Sequence, residues 1–308
     1  MRGAVANGRN MPANIVVSLL DERQDYSRLQ SEEARAAAGR RSSLSVEVMF
    51  AENNALVQIQ QLLAHIHASR ESRPAAIIVH SATGEGLERV ARNAVKAGIG
   101  WIILNRRVDY VDELRSARPE LPIARVSLDQ FEIGRIQGRQ VRKLVPEPGL
   151  LIYVSGPLDT SAAQDRLAGT EKELEHDGFE LKVLNGNRTE EGAEAAVASF
   201  LRLKTGGGRR PAVIVAQNDW MAKGARRAGM AHEPAWQSVP VIGCDGLAEH
   251  GRALVKGGTL AATVITPAST GSAIELVADW VEERRLPPAD LTLQSRSFPP
   301  EEALPASS

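Results

Sequence analysis

Carboxylate, amide and guanidinium side chains recur directly after apolar runs in this chain. In the first half they are Arg23-Gln24-Asp25-Tyr26, Ser81 with Thr83, and Asn105-Arg106-Arg107. In the second half they are Asp159 with Arg166, Asn187-Arg188, Gln217-Asn218-Asp219, and Asp245. This mixture suits a polyhydroxylated ligand. A hydroxyl donates to an Asp or Asn oxygen and accepts from an Arg or Asn N–H, and a planar guanidinium serves two oxygens at once. The C–H face of such a ligand packs on an aromatic ring, and Tyr26 and Trp220 are the rings placed for it. Reactive constellations are missing: there is no G-x-S-x-G, no Walker loop, no H-E-x-x-H and no Ser/His/Asp set at strand ends. The Gly-x-Gly at Gly84 and Gly86 lacks the third glycine of a dinucleotide fingerprint. The pattern predicts binding without catalysis.

Each of these residues has a plainer use that competes with ligand binding. Asp219, Thr189 and Asp129 all stand where helices begin, and a cap explains each. Arg107 is expected to face solvent, Trp220 can pack on a neighbouring loop, and Cys244 reads as a small buried side chain. Glu171, Glu173 and Glu175 read as a solvated helix surface. His65 and His67 point to different faces of a helix, and a single cysteine forms neither a disulfide nor a cysteine-rich metal site. No metal and no cofactor are expected.

The elements that must position the polar tips alternate regularly. Asn14–Leu20, Leu44–Phe50, Ala75–Val79, Trp101–Leu104 and Leu121–Val126 read as strands. Helices at Leu29–Ala38, Asn54–Ala68 and Gly86–Ala97 separate the first four. A second series then begins with helix Asp129–Leu144 and strand Leu150–Val154. It continues with helix Ser161–His176, strand Phe179–Leu184 and helix Thr189–Leu203, followed by the TGGGRR loop at 205–210. Strand Ala212–Ala216, helix Trp220–Ala228, strand Val239–Gly243, helix Leu247–Val255, strand Leu260–Val264, helix Thr270–Glu283 and a short strand Leu291–Leu293 complete it. Two βα series of similar size predict an α/β protein with two doubly wound, Rossmann-like parallel-sheet lobes. In open sheets of this kind ligands bind beyond the strand carboxyl ends, where these tips lie.

Composition narrows the partners. A length of 308 residues favours two domains over one core. A net charge of −1 supplies no field for nucleic acid. No run approaches the ~20 apolar residues of a membrane span. The start, MRGAVANGRNMPANIVVSLL, has no apolar stretch of signal-peptide length before the first strand, and too few residues precede that strand for a helix-turn-helix headpiece.

The ordered set AQNDWMAKGA, VIGCDG, ILNRR, AAQDRLAG and LAATVITP resembles the periplasmic sugar-binding proteins of ribose-binding-protein type. Their fold, the type I periplasmic-binding-protein fold, is shared with the ligand-sensing part of lactose-repressor-like regulators. The resemblance spans roughly residues 14–300. It implies a lobe of residues 1–126 plus 267–289, a lobe of 127–266 plus 290–308, a ligand cleft between them, and three hinge crossings near Ser127, Thr266 and Asp290. Carried over by motif, it assigns ligand contacts to Tyr26, Asn105, Arg106, Arg166, Asn218 and Asp245.

Departures from the family pattern add further candidates. Arg23 stands in a loop that usually carries an aromatic pair, Arg188 takes the place of a common Trp or Phe, and Thr266 is the polar residue near the last crossing. With Trp220 these complete the candidate set. The pocket is expected to be more charged than a plain pentose site, and a sugar derivative with an acidic group met by Arg188 or Arg23 is the resulting expectation. The resemblance implies a monomeric solute-binding component of an ABC-type sugar transporter with a membrane permease as partner. A ligand-sensing module read by a regulator protein is the alternative, and an enzyme on the same fold ranks last. The resemblance implies a periplasmic location; the sequence shows no signal peptide, so a cytoplasmic location or a trimmed start is the alternative expectation.

Overall fold

The computed structural model describes residues 11–83, 87–203 and 209–305. The Gly84/Gly86 motif and most of the TGGGRR loop lie outside them. The chain divides into two compact units, one holding the residues up to Val126 and Ala268–Leu291, the other Ser127–Pro267 and the residues from Thr292 on. It passes from one to the other three times, at Val126/Ser127, Pro267/Ala268 and Leu291/Thr292.

The first unit contains β1 (Ala13–Leu19), α1 (Asp25–Gly39), β2 (Leu44–Phe50), α2 (Ala55–Ile66), β3 (Ala76–His80), α3 (Glu88–Lys96), β4 (Gly100–Leu104), α4 (Tyr110–Ala117) and β5 (Ile123–Leu128). The strands β2-β1-β3-β4-β5 lie in that order and pair in parallel. Period-2 alternation divides the buried residues between the two faces. Val16, Ile77, Val79, Trp101 and Ile103 pack with Leu62, Val90, Ala94, Val111 and Leu114, so α2, α3 and α4 cover one face.

The second unit follows with α5 (Gln130–Leu144), β6 (Leu150–Ser155), α6 (Ser161–Leu174), β7 (Glu180–Asn185), α7 (Glu190–Arg202), β8 (Val213–Ala216), α8 (Asp219–His232), β9 (Val241–Ile242), α9 (Gly251–Lys256) and β10 (Thr263–Ile265). Its sheet runs β7-β6-β8-β9 and extends towards β10 through the parallel bridges Ile242–Ala262 and Asp245–Ile265. Leu150, Ile152 and Val154 face α7 and α8, while Leu151 and Tyr153 face α5 and α6. Both units thus repeat one strand order, 2-1-3-4-5, whose switch point falls between β1 and β3 and between β6 and β8.

After β10 the chain returns to the first unit as α10 (Ser269–Glu283), which packs on α1. Buried Gln30 fixes that contact: its amide donates to Ser269 Oγ at 3.0 Å and accepts from the Thr270 N–H at 2.9 Å. β11 (Asp290–Leu293) then adds to the edge beside β5, and β12 (Arg296–Phe298) pairs antiparallel with β10.

Several local expectations are corrected. Helix α1 starts ahead of the expected Leu29. α1 begins at Asp25, whose carboxylate suits the positive end of the helix, so Tyr26 sits in a helical first turn. Helix α4 has no counterpart in the sequence reading, because its eight residues carry only a short apolar stripe of Tyr110, Val111 and Leu114. β9 is two residues long rather than five, since a 3-10 turn at Pro234–Ser238 leads into it, and α8 runs on to His232. β12 was not anticipated. Glu173 is not a solvated surface residue: its side chain is 11% exposed and bridges Arg135 and Arg142 of α5.

Candidate functional site

At the carboxyl end of the first unit's sheet, β1 delivers Asp21, β3 delivers Ser81 and β4 delivers Asn105 and Arg106. Asn105 adopts a left-handed φ of 53°, an uncommon conformation for a residue with a Cβ, and is buried. Its amide donates to Ser269 Oγ at 3.3 Å. Arg106, 4% exposed, donates to the carbonyls of Ser81 at 2.7 Å, Asn105 at 2.9 Å and Thr83 at 3.3 Å. A guanidinium held by carbonyls keeps its full charge while its desolvation is offset. Arg23 lies differently. It forms a two-pronged pair with Asp21, at 3.0 and 2.7 Å, and is largely exposed. The Arg23 backbone N–H and Asn53 also donate to Asp21, whose carboxyl sits below its ordinary range chiefly through the Arg23 side-chain hydrogen bond. Tyr26 is half-buried in the first turn of α1.

The carboxyl end of the second unit's sheet is organised by Gln217 and Asp219. Gln217 is buried. It accepts from the Gly156 N–H at 2.9 Å and donates to the Ala163 carbonyl at 2.8 Å and Tyr153 Oη at 3.1 Å. This ties the ends of β6 and β8 to α6 at the switch point. Asn218, not Asp219, caps α8: its side-chain oxygen accepts from the Met221 N–H at 2.7 Å, and its amide donates to the Arg188 carbonyl at 3.2 Å. The capping geometry requires the extended backbone that Asn218 has, whereas Asp219 is already helical.

Asp219 is 1% exposed and turns inward, accepting from Thr263 Oγ1 at 2.6 Å and from the Gly246 N–H at 2.8 Å. Gly243 and Gly251 border its carboxylate so closely that a Cβ on either would collide with it. The loop between them carries Asp245, at a φ of 101°, with its backbone N–H bonded to the Val264 carbonyl at 3.0 Å. Buried Thr266 donates its backbone N–H to the Asp245 carbonyl at 3.1 Å. Burial pushes the Asp245 carboxyl up to about 7, against the pull of Arg166. Burial and the neighbouring Asp245 charge hold Asp219 well above the ordinary carboxylate range.

Arg166 reaches this edge from α6. It donates to Gln130 Oε1 and to the Gln217 carbonyl, both at 2.7 Å, and lies 3.5 Å from Cys244 Sγ. Gly134 and Gly169 let α5 and α6 approach closely enough to place it, for a Cβ at Gly134 would run into the Arg166 carbonyl and one at Gly169 into that of Phe131. Arg188 follows β7 in a left-handed conformation, φ 60°, and its stem lies over Gly156. Trp220 packs against His250, with ring centroids 4.0 Å apart, and Lys223 Nζ stands 5.0 Å from its ring. Cys244 is fully buried and its thiol is pushed up to about 12 by burial.

A model of the periplasmic binding protein domain matches residues 15–280. The chain belongs to that family. Solved structures of the same fold cover nearly its whole length. A Caulobacter myo-inositol binding protein bound to myo-inositol is 24% identical with a TM-score of 0.79, over 96% of this chain and 95% of that one. A galactofuranose binding protein is 18% identical with a TM-score of 0.80, over 93% and 94%. The periplasmic binding protein component of the arabinose ABC transporter from Shewanella sp. ANA-3 is 19% identical with a TM-score of 0.78, over 94% and 93%. A sequence comparison with curated proteins returns no match. The architecture is the two-unit α/β fold of periplasmic binding proteins, with parallel sheets.

Within this member of the family, the sequence candidates fall into two groups. Asn105 and Arg106 share one strand-end edge with Arg23 and Tyr26, although Arg23 is turned onto Asp21. Arg166, Arg188, Asn218, Asp245, Thr266 and Trp220 belong to the other unit. Sequence reasoning missed Asp21, Gln30, Gln130 and the inward role of Asp219. Asp21 and Asp219 each stand at a strand's carboxyl end, so position alone could have flagged them. Gln30 and Gln130 are polar residues on helices, and nothing local marks them as buried.

Proposed function

We propose that this periplasmic binding protein holds a small carbohydrate without transforming it, and passes it to the membrane permease of an ABC-type transporter. One observation carries the reading: both units repeat the same strand order, and each sets buried or half-buried amides, guanidinium groups and a carboxylate at its switch-point edge. Those are the groups that pair with vicinal hydroxyls. The ligand is shared by the two units, with Tyr26, Asn105 and Arg106 from one and Arg166, Asn218, Asp245 and Thr266 from the other. Closure turns about the three chain crossings. The relatives crystallised with myo-inositol and arabinofuranose support the substrate class. The thiol of Cys244 and the phenol of Tyr153, both raised to about 12 by burial, stay protonated at neutral pH and offer no nucleophile. The location that accords with the family is the periplasm, and among the described residues no helix is long and apolar enough to cross a membrane.

A thermal-shift screen over neutral sugars, sugar acids, polyols and nucleosides tests the reading. A true ligand at about 100 times its Kd adds about 2.7 kcal/mol, a rise of several degrees. No shift with any sugar, sugar acid or polyol refutes the carbohydrate assignment. Mass spectrometry of the recovered ligand should return it intact, and a new product would refute the non-catalytic one.

A further inference from the structure

Among the guanidinium groups at the second unit's ligand edge, Arg188 is built in and left unspent. Its placement is expensive. Asn187 and Arg188 are successive left-handed residues, with φ of 51° and 60°. Three contacts hold that turn: Asn185 Oδ1 accepts from the Asn187 N–H at 2.9 Å, Asn218 donates to the Arg188 carbonyl at 3.2 Å, and Thr189 caps α7. The stem then lies across Gly156, where an added Cβ would meet Arg188 Cγ at 3.3 Å. This sets the guanidinium beyond the end of β6, beside the switch point.

The guanidinium itself has little to hold. Among the described residues its side-chain hydrogen bond is one long contact, from Nη2 to Thr160 Oγ1 at 3.5 Å. Among the described residues no carboxylate lies within ion-pair distance of it. The charges acting on it are exposed Asp159, which does not reach it, and Arg166, which repels it. Arg166 by contrast is tied to Gln130 and to the Gln217 carbonyl. Five N–H donors on a planar fork, partly stripped of water and facing another cation, call for an anion with two oxygens in a plane. Arg23, the other sequence candidate for this role, is already matched by Asp21.

We propose that the natural ligand is a sugar acid, an aldonate or uronate, whose carboxylate is received by the Arg188 fork. The proposal rests on the carbohydrate reading and narrows it. Asp245 then takes hydroxyls elsewhere on the same ligand.

Matched pairs measured by isothermal titration calorimetry test it: glucuronate against glucose, galacturonate against galactose, gluconate against sorbitol, with the methyl ester of galacturonic acid and glucose 6-phosphate as controls. At least one acid should bind about 10- to 100-fold more tightly than its neutral partner, the range for hydrogen bonds between charged groups. The ester should fall to the neutral level, an outcome that needs no variant. Arg188→Gln should abolish the preference for the acid over its neutral partner. Neutral sugars binding as tightly as the acids, to parent and variant alike, would overturn the proposal while leaving the carbohydrate reading intact. Preference for the sugar phosphate would overturn the carboxylate assignment. Binding of none of the acids would overturn the proposal, and the carbohydrate reading would then stand or fall on the thermal-shift screen alone.

Discussion

Replacing Asp245 by Asn should make the protein more stable at high pH and change little at low pH. In the folded chain the Asp245 carboxyl is raised from 3.8 to about 7, mainly because burial disfavours its charged form. The folded state therefore holds a proton that the unfolded state gives up between those two values. Linkage fixes the sign: below the unfolded value both states are neutral at this site and nothing is lost, and stability falls as pH rises through the folded value. The interval is roughly 3 on the pH scale, at about 1.4 kcal/mol each, which sets an upper figure of about 4 kcal/mol. Asp245 keeps partial contact with solvent, so about 2 kcal/mol is the working expectation. Asparagine carries no such cost. Relief of the push on Asp219, which Asp245 helps to raise, acts in the same direction. Differential scanning calorimetry without ligand at pH 4.5 and pH 8 reads the effect. The Asp245→Asn variant should gain about 4 to 8 °C in Tm over the parent at pH 8 and much less at pH 4.5. An equal difference at the two values, or a larger one at low pH, would show that burial does not set the state of this carboxyl. At pH 8 the same variant should lose sugar affinity, because an amide replaces an ionised, acceptor-only carboxylate.

Asp219→Ala removes the acceptor for Thr263 Oγ1 and the Gly246 N–H and leaves both donors buried, so chemical denaturation should show a loss of about 2 to 4 kcal/mol in the second unit. Gly169→Ala places a methyl against the Phe131 carbonyl at the α5–α6 crossing and should cost about 1 to 3 kcal/mol, with weaker ligand binding because Arg166 shifts with α6. Unchanged denaturation midpoints for either variant would contradict the packing described.

The architecture was legible because its signals are local and repeated. Continuous apolar runs of strand length such as Asn14–Leu20 and Leu150–Val154 mark strands covered on both faces, and the caps at Asp129 and Thr189 form as their sequence contexts suggest. What stayed hidden depends on contacts across long stretches of chain. Gln30 looks like any helical polar residue until α10 returns some 240 residues later to bond it. Helix α4 is short and charged, and only packing against Trp101 and Ile123 gives it an apolar face. At the strand-end edges, residue types marked which loops carry polar groups but not the division of tasks within them. Gln217-Asn218-Asp219 reads as three equivalent polar groups. In the structure the first ties strands to α6, the second caps α8, and the third disappears inward to hold the loop that presents Asp245.

That division of tasks bears on how the site came to be charged. Asn105, Arg188 and Asp245 are all left-handed residues following strands, at φ 53°, 60° and 101°. Side chains with a Cβ pay about 1 to 3 kcal/mol for such conformations, and the cost persists only where surrounding contacts impose it. Here the imposing contacts are named: Val126 and Ser269 on Asn105, Asn218 on Arg188, and Val264 with Thr266 on Asp245. Glycine would have removed the strain at each position and, apart from the Asn105 side-chain bond to Ser269, left those bonds in place. It would also have removed an amide, a guanidinium and a carboxylate from the strand-end edges. Strain retained at the very positions that carry polar groups is therefore a reason, independent of family resemblance, to read these edges as ligand-holding surfaces rather than as connections between strands and helices.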